Sequence, residues 1–233
     1  MQPTVSAQIR VRRFDSRGAL DAALAGRLLR AASADASSAI MLSGGTTPGP
    51  AFALVAARTV RAAQGLRVLY SDERHVPPTS DASNYHLSQP LLTALALPAG
   101  QVLRVQTELP LEAAAEDYEK RLQGLLNARI RLRLGLLGLG ADGHTASLFK
   151  PADLEAARHH LAIPVQRPDG RSAVSVTPDF LAQVEEIVFV VAGADKTAAL
   201  ERLRACDPEL VAWRAVERCA QVHLWADAAA LPH

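Results

Sequence analysis

Three short clusters hold the residue types that do chemistry. In Gly138-Leu139-Gly140-Ala141-Asp142-Gly143-His144-Thr145, an imidazole sits on a glycine-flanked turn, two residues from a carboxylate. Histidine changes charge near neutral pH and suits general base work, and a neighbouring acid can fix its tautomer. The competing reading is a histidine that caps a short helix. The same segment matches G-x-G-x-x-G, the dinucleotide fingerprint, but its context speaks against that reading. It follows a late strand rather than one opening a βαβ unit, and Lys150-Pro151 arrives within two turns, too soon for a long helix. Nor does a strand ending in an acid follow at the usual offset of about 20 residues.

The second cluster is Ser43-Gly44-Gly45-Thr46-Thr47-Pro48, where an apolar run stops and a helix led by proline begins. Glycines allow close backbone approach, and the free N–H groups of a helix start, joined by hydroxyls, attract an anion such as phosphate. It is not a Walker A loop, which requires Gly-Lys-Ser/Thr. An ordinary Ser/Thr-capped turn is the alternative. The third cluster is Asp72-Glu73-Arg74-His75-Val76-Pro77, with Ser83-Asn84-Tyr85 downstream. Alone, the triplet reads as a charged loop tip. Beside the second cluster, Arg74 becomes a candidate ligand fork and Asp72 its orienter. Two further cations stand near strand ends. Lys196 follows Gly193-Ala194-Asp195 in the first turn of a helix, and Arg171 precedes a strand near Thr177-Pro178. Taken alone, Lys196 reads as a solvated surface lysine, while Arg171 is open between an anion ligand and an exposed loop residue.

Other chemistries lack their residues. No H-E-x-x-H or Cys/His quartet is present, so no metal is expected, and without G-x-S-x-G a serine hydrolase has no nucleophile. With 49% hydrophobic and 21% charged residues in a chain of 233, a folded core is expected and disorder is not. The net charge of +1 gives no bulk attraction to nucleic acid or to an anionic membrane. No run approaches the roughly 20 apolar residues of a spanning helix. Met1 to Arg13 has no apolar segment of a signal peptide, and only Cys206 and Cys219 occur, so a reducing cytoplasm is the expected location.

These clusters need elements to position them. Helical spacing is present over Ser16–Ala32, Pro48–Ala63, Leu111–Asn127, Ala194–Ala205 and Glu209–Arg218. Short apolar runs at Ala39–Leu42, Leu66–Tyr70, Arg133–Leu139, Ser172–Val176, Ile187–Ala192 and Gln221–Trp225 read as strands. Their alternation predicts one α/β domain over residues 1–233, Rossmann-like, with a mainly parallel sheet flanked by helices. Ligands of such sheets bind beyond the carboxyl ends of the strands, where all three clusters fall. Arg74–Ser88 and Phe149–Gly170 are the longest weakly patterned stretches.

In this order and spacing, Ser43–Pro48, Ser71–Pro77 with Ser83-Asn84-Tyr85, and Gly138–Phe149 together closely resemble the 6-phosphogluconolactonase family; Arg171…Thr177 and Gly193…Lys196 extend the resemblance over most of the chain. The resemblance implies the fold shared with glucosamine-6-phosphate deaminase and hydrolysis of a small-molecule sugar-phosphate lactone in the oxidative pentose phosphate pathway. It implies no cofactor and no metal. His144 would be the general base and Asp142 its orienter; Arg74, with Asp72 behind it, would meet the substrate. Ser43, Gly44, Gly45, Thr46, Thr47, Arg171 and Lys196 would face phosphate and sugar hydroxyls, with Asn84 shaping the pocket. One departure is visible: Ser147-Leu148-Phe149-Lys150-Pro151 stands where the family usually reads Ser-Leu-Phe-Pro. An amino-sugar-phosphate deaminase or isomerase is the nearest rival, but the deaminases carry Asp-Glu-Tyr where this chain has Asp72-Glu73-Arg74. A non-catalytic sugar-phosphate-binding protein is the rival from another class. A monomer or weak homo-oligomer is expected.

Overall fold

Apolar runs with no polar side must be covered on both faces. The computed structural model, which describes residues 9–34, 37–58 and 60–232, shows how this is done. The first half of the chain forms β1 (Ile9–Phe14), α1 (Arg17–Ser33), β2 (Ser38–Leu42), α2 (Gly49–Ala56), β3 (Arg67–Tyr70), β4 (Asp72–Arg74), α3 (Asn84–Ala94), β5 (Val102–Leu103) and α4 (Leu111–Asn127). There follow β6 (Arg131–Leu137), α5 (Pro151–Ala156), β7 (Ala162–Gln166), β8 (Ser172–Val176), α6 (Pro178–Leu181), β9 (Ile187–Val191), α7 (Thr197–Arg204), α8 (Val211–Val216) and β10 (Val222–Asp227). Seven strands form one wholly parallel sheet in the order β1-β10-β9-β6-β2-β3-β5. The other three form a small antiparallel sheet, β4-β8-β7. Ser172–Val176 therefore lies outside the parallel sheet, because it pairs back on β7 through a tight turn rather than through a crossover.

All five residues of β2 are buried, and they alternate between two cores. Ile40 and Leu42 join Leu24, Leu28, Phe52, Val55 and Leu91 on the side of α1, α2 and α3. Ala39 and Met41 join Tyr118, Leu122, Phe189 and Leu200 on the side of α4 and α7. This is the period-two address of a strand buried on both faces. The Ser16 hydroxyl accepts from the Ala19 N–H and caps α1, whose apolar stripe of Leu20, Leu24 and Leu28 is buried.

Helix α2 ends at Ala56, short of the Ala63 that its spacing suggests. The chain must instead turn into β3, and the Ala63 N–H donates to Ala32 O at the end of α1. Strand β1, helices α3 and α5, and strand β7 fall where no element was expected. From β2 the chain passes through α2 to β3 in one direction along the sheet; from β6 it goes on to β9 and β10 in the other. Since β2 and β6 are neighbours, their carboxyl ends frame a switch point, the usual ligand crevice of open α/β sheets. Among the described residues no helix is long and apolar enough to cross a membrane.

Candidate active site

The bend after β2, Ser43–Pro48, lines a cleft of about 220 Å³ at this switch point. That is below the ~300–1,000 Å³ of pockets for drug-sized ligands and suits a single sugar ring better than a dinucleotide. The bend lies directly on Asn84. A Cβ at Gly44 would stand 1.7 Å from Asn84 Oδ1 and 2.0 Å from Asn84 Cγ, so close packing requires glycine there. Gly45, with φ +84°, adopts the left-handed backbone that lets the chain reverse.

Asn84 is in turn held by the bend after β3. Its amide Nδ2 donates to Asp72 O (2.7 Å), and its Oδ1 accepts from Arg74 Nη1 (2.5 Å), which also donates to Ala82 O (3.0 Å). The first residue of α3 thus fixes both the glycine bend and the arginine. Glu73 explains why α3 begins there. Its buried carboxylate accepts from the N–H groups of Asn84 (2.7 Å), Tyr85 (2.8 Å) and Arg74 (2.9 Å), and from the Ser83 hydroxyl (3.0 Å). A carboxylate at a helix start satisfies otherwise unpaired donors and meets the positive end of the macrodipole. Burial pushes the Glu73 carboxyl up, and the hydrogen bonds from Tyr85, Asn84 and Ser83 hold it back only in part.

Asp72, 5% exposed, makes no direct bond to Arg74 and stands behind it only through Asn84. One carboxylate oxygen accepts from the Ser71 hydroxyl (3.0 Å) and the other from the Ser147 hydroxyl (2.7 Å). Ser147 Oγ also accepts from Arg167 Nη1 (2.9 Å), which lies 4.0 Å from Asp72 Oδ2. Asp72 therefore anchors Arg167, while Asn84 anchors Arg74.

The third bend, after β6, carries the imidazole. His144 Nδ1 lies 2.5 Å from Asp142 Oδ1, and the same oxygen accepts from the His144 N–H (3.2 Å). With a proton on Nδ1 donated to the carboxylate, Nε2 is left as an acceptor. The turn needs its glycines. A Cβ at Gly140 would come within 2.0 Å of His144 Nδ1 and 2.3 Å of Asp142 Oδ1, and Gly143 has φ +86° with Leu210 packed against it. Burial raises the Asp142 carboxyl, but the hydrogen bonds from the His144 ring and backbone outweigh it and hold the group below the usual carboxylate range. The Phe149 ring lies 4.4 Å from the imidazole, and the Arg167 guanidinium stands over the same ring at 5.0 Å. After Gly143 the chain makes a turn bridged from Thr145 to Leu148, so no long helix follows the glycines. Lys150 stands at the start of α5, where Asp153 accepts from the Phe149 and Lys150 N–H groups.

Ser43, Gly44, Gly45, Thr46, Thr47, Asp72, Arg74, His144 and Lys196 all line this one cleft. Asn84 lies beneath it, and Asp142 enters through His144. Lys196 comes from the turn after β9 and pairs with Asp195 at 3.1 Å. Arg171 is exposed on the β7–β8 turn and does not line the cleft; Arg167, on the other side of that turn, does. Arg167, Glu73 and Ser147 are participants that sequence reasoning did not single out. Among the described residues, no group of three or more His, Cys, Asp or Glu side chains is arranged to hold a metal ion.

Comparison with known proteins then places the chain. The family model described as glucosamine-6-phosphate isomerases/6-phosphogluconolactonase matches residues 15–225. The chain belongs to this family. Members similar to it include the 6-phosphogluconolactonase of Nostoc sp., 35% identical over 173 residues and covering 71% of each chain. That of Treponema pallidum is 35% identical over 195 residues, covering 77% of this chain and 78% of the relative. Among solved structures, the 6-phosphogluconolactonase of Thermotoga maritima superposes with a TM-score of 0.78 at 25% identity, over 94% of this chain and 99% of the other. Within the family's mainly parallel fold, the cleft just described occupies the switch point of the sheet.

Proposed function

We propose that the chain hydrolyses 6-phospho-D-glucono-1,5-lactone to 6-phospho-D-gluconate in the oxidative pentose phosphate pathway. One observation carries this reading: His144 Nδ1 is paired with Asp142 at 2.5 Å in a cleft also lined by the glycine-threonine bend. A base and an anion cradle share one small space, which suits a ring ester with a phosphate at its far end. Water gives a proton to His144 Nε2 as its oxygen bonds to C1, and the carbonyl electron pair moves onto oxygen. On collapse the C1–O5 ring bond breaks and His144 returns the proton to O5. A lactone carbonyl is electrophilic enough that no covalent nucleophile is required. Each donor aimed at the developing oxyanion is worth ~2.7–4 kcal/mol in other enzymes. Arg74 and Arg167 are the cations nearest that task, because each is anchored at the cleft wall by a buried partner. The bend and Lys196 take the phosphate, and that remote binding energy positions the ring.

Relatives that bear the name 6-phosphogluconolactonase support the lactone as substrate. The family also includes isomerases of an amino-sugar phosphate, which makes them the reading to test against. The proposed agent is a single domain acting in the cytoplasm as a monomer or weak homo-oligomer. The test is lactone loss measured above spontaneous hydrolysis, run beside ammonia release from glucosamine 6-phosphate. Lactone consumption without ammonia is expected, and the reverse overturns the reading. His144→Ala is expected to lower kcat by ~10²–10⁴-fold while inorganic phosphate still competes. Turnover near wild type would remove His144 as the base. Lys196→Ala should mainly raise KM, and a defect confined to kcat would contradict a phosphate-binding role.

A further inference from the structure

Arg17 occupies the first position of α1, where the helix dipole disfavours a cation, and the first turn contains no acid to compensate. Arg17 Nε donates to both carboxylate oxygens of Asp21 (2.8 and 3.0 Å), and Asp21 is only 6% exposed. With its geometry set in this way, the guanidinium extends Nη2 to Thr47 O at 2.6 Å and, more weakly, to Thr46 O at 3.4 Å. No other side chain among the described residues donates to these two carbonyls. Asp21 is thus a buried carboxylate that the proposed chemistry does not use, and its partner grips the bend that lines the cleft.

We propose that Arg17 and Asp21 are a positioning pair that presets the Ser43–Thr47 bend for the anionic end of the substrate; this rests on the reading that the bend receives phosphate. The peptide bond is planar and trans, so its N–H points opposite to its C=O. The weaker contact with the Thr46 carbonyl sets the Thr47 N–H on the side of that peptide away from Arg17. Holding Thr47 O fixes the entry into α2, whose start adds its own free N–H groups. The guanidinium also neutralises carbonyl oxygens that would otherwise repel an arriving anion if the bend rotated. Neither residue touches substrate. Both act through the bend, which two glycines leave free to move when nothing restrains it.

The test compares Arg17→Ala, Arg17→Lys and Asp21→Asn with wild type. Its readouts are KM for the phosphorylated lactone, inhibition by inorganic phosphate, turnover of glucono-1,5-lactone lacking phosphate, and melting temperature. In Arg17→Ala, KM and the phosphate inhibition constant should rise together by about ten-fold, the equivalent of ~1.4 kcal/mol. The kcat should stay within about two-fold, and turnover of the unphosphorylated lactone should not follow the change. Asp21→Asn should reproduce the Arg17→Ala result. Arg17→Lys should fall between, because an ammonium cannot span the carboxylate and the carbonyl as a fork does. A lower melting temperature with unchanged KM and unchanged phosphate inhibition would reduce the pair to a structural role. An Asp21→Asn enzyme with wild-type phosphate inhibition, beside a weakened Arg17→Ala, would make Arg17 a direct ligand and overturn the positioning role. If phosphate does not compete even in wild type, the reading of the bend fails first; if it competes equally in wild type and Arg17→Ala, only the pair fails.

Discussion

Gly44→Ala adds one carbon at the joint between two bends. The new Cβ would fall 1.7 Å from Asn84 Oδ1, 2.0 Å from its Cγ and 2.5 Å from its Nδ2, so either the amide or the bend must move. Asn84 has little room to yield, being 2% exposed and bonded on both sides of its amide. Displacing it forfeits a charge-assisted bond from Arg74 and a neutral one to Asp72 O. Bonds of these kinds contribute ~1.5–3 and ~0.5–1.5 kcal/mol, so a loss of about 2–4 kcal/mol is expected in urea unfolding. Freed from Asn84, Arg74 loses its fixed aim, and a displacement of about 1 Å in such a group can cost roughly a hundredfold in kcat/KM. The decisive comparison is the double variant. Asn84→Ala removes the obstacle, so adding Gly44→Ala to it should cost little further stability, a strong departure from additivity. Gly44→Ala within ~0.5 kcal/mol of wild type, or simple addition of the two losses, would refute contact with Asn84 as the reason for the glycine.

Two further outcomes concern pH. The Asp142 carboxyl lies below its ordinary range in the fold, so ionised Asp142 contributes stability that is full above the unfolded value of ~3.9 and is lost as pH falls through the lower folded value. The wild-type advantage over Asp142→Asn in urea should narrow below about pH 4, and a constant difference would contradict it; kcat should also fall at neutral pH, since an Asn amide can favour the wrong His144 tautomer. Glu73 shifts the other way. Its contribution is full below the unfolded value of ~4.3 and declines as pH rises through the raised folded value, so wild type should gain on Glu73→Gln as pH is lowered from 7 toward about 4; a gap that closes on acidification would show that burial does not control this carboxyl.

The three bends were legible as a set: taken singly each also reads as an ordinary turn or charged loop tip, but all three fall at the ends of apolar runs, and their order and spacing together point to one site. What joins the bends was not legible. Arg167 is one of many arginines, and only the β7–β8 pairing shows that it faces Phe149 and Ser147 rather than water. That pairing was disguised by Pro164, which β7 tolerates because it is an edge strand of the small sheet. Helix α3 was hidden by Pro90 in its interior, although Ser83 is an N-cap whose hydroxyl accepts from His86. Strand β1 carries Arg10, Arg12 and Arg13 among its six residues, an edge guarded by charge that reads poorly as a buried strand. Asp72 shows the limit most plainly: closeness in sequence suggested Arg74 as its direct partner, yet Asn84 stands between them and the Asp72 carboxylate accepts from Ser147, 75 residues away.

The two-sided packing of β2 determines where this chain can change length. One inserted residue within that strand would send Ile40 and Leu42 to the face meant for Met41, exchange the contents of two half-interiors, and turn the outgoing peptide over. An added residue between β6 and α5 should meet no such penalty, since the chain there is a turn outside the sheet whose Phe149 and Lys150 N–H groups are held at a helix start by a single aspartate. Length polymorphism should therefore gather downstream of the imidazole turn and be purged upstream of the glycine pair, a pattern that insertion scanning across both segments would reveal.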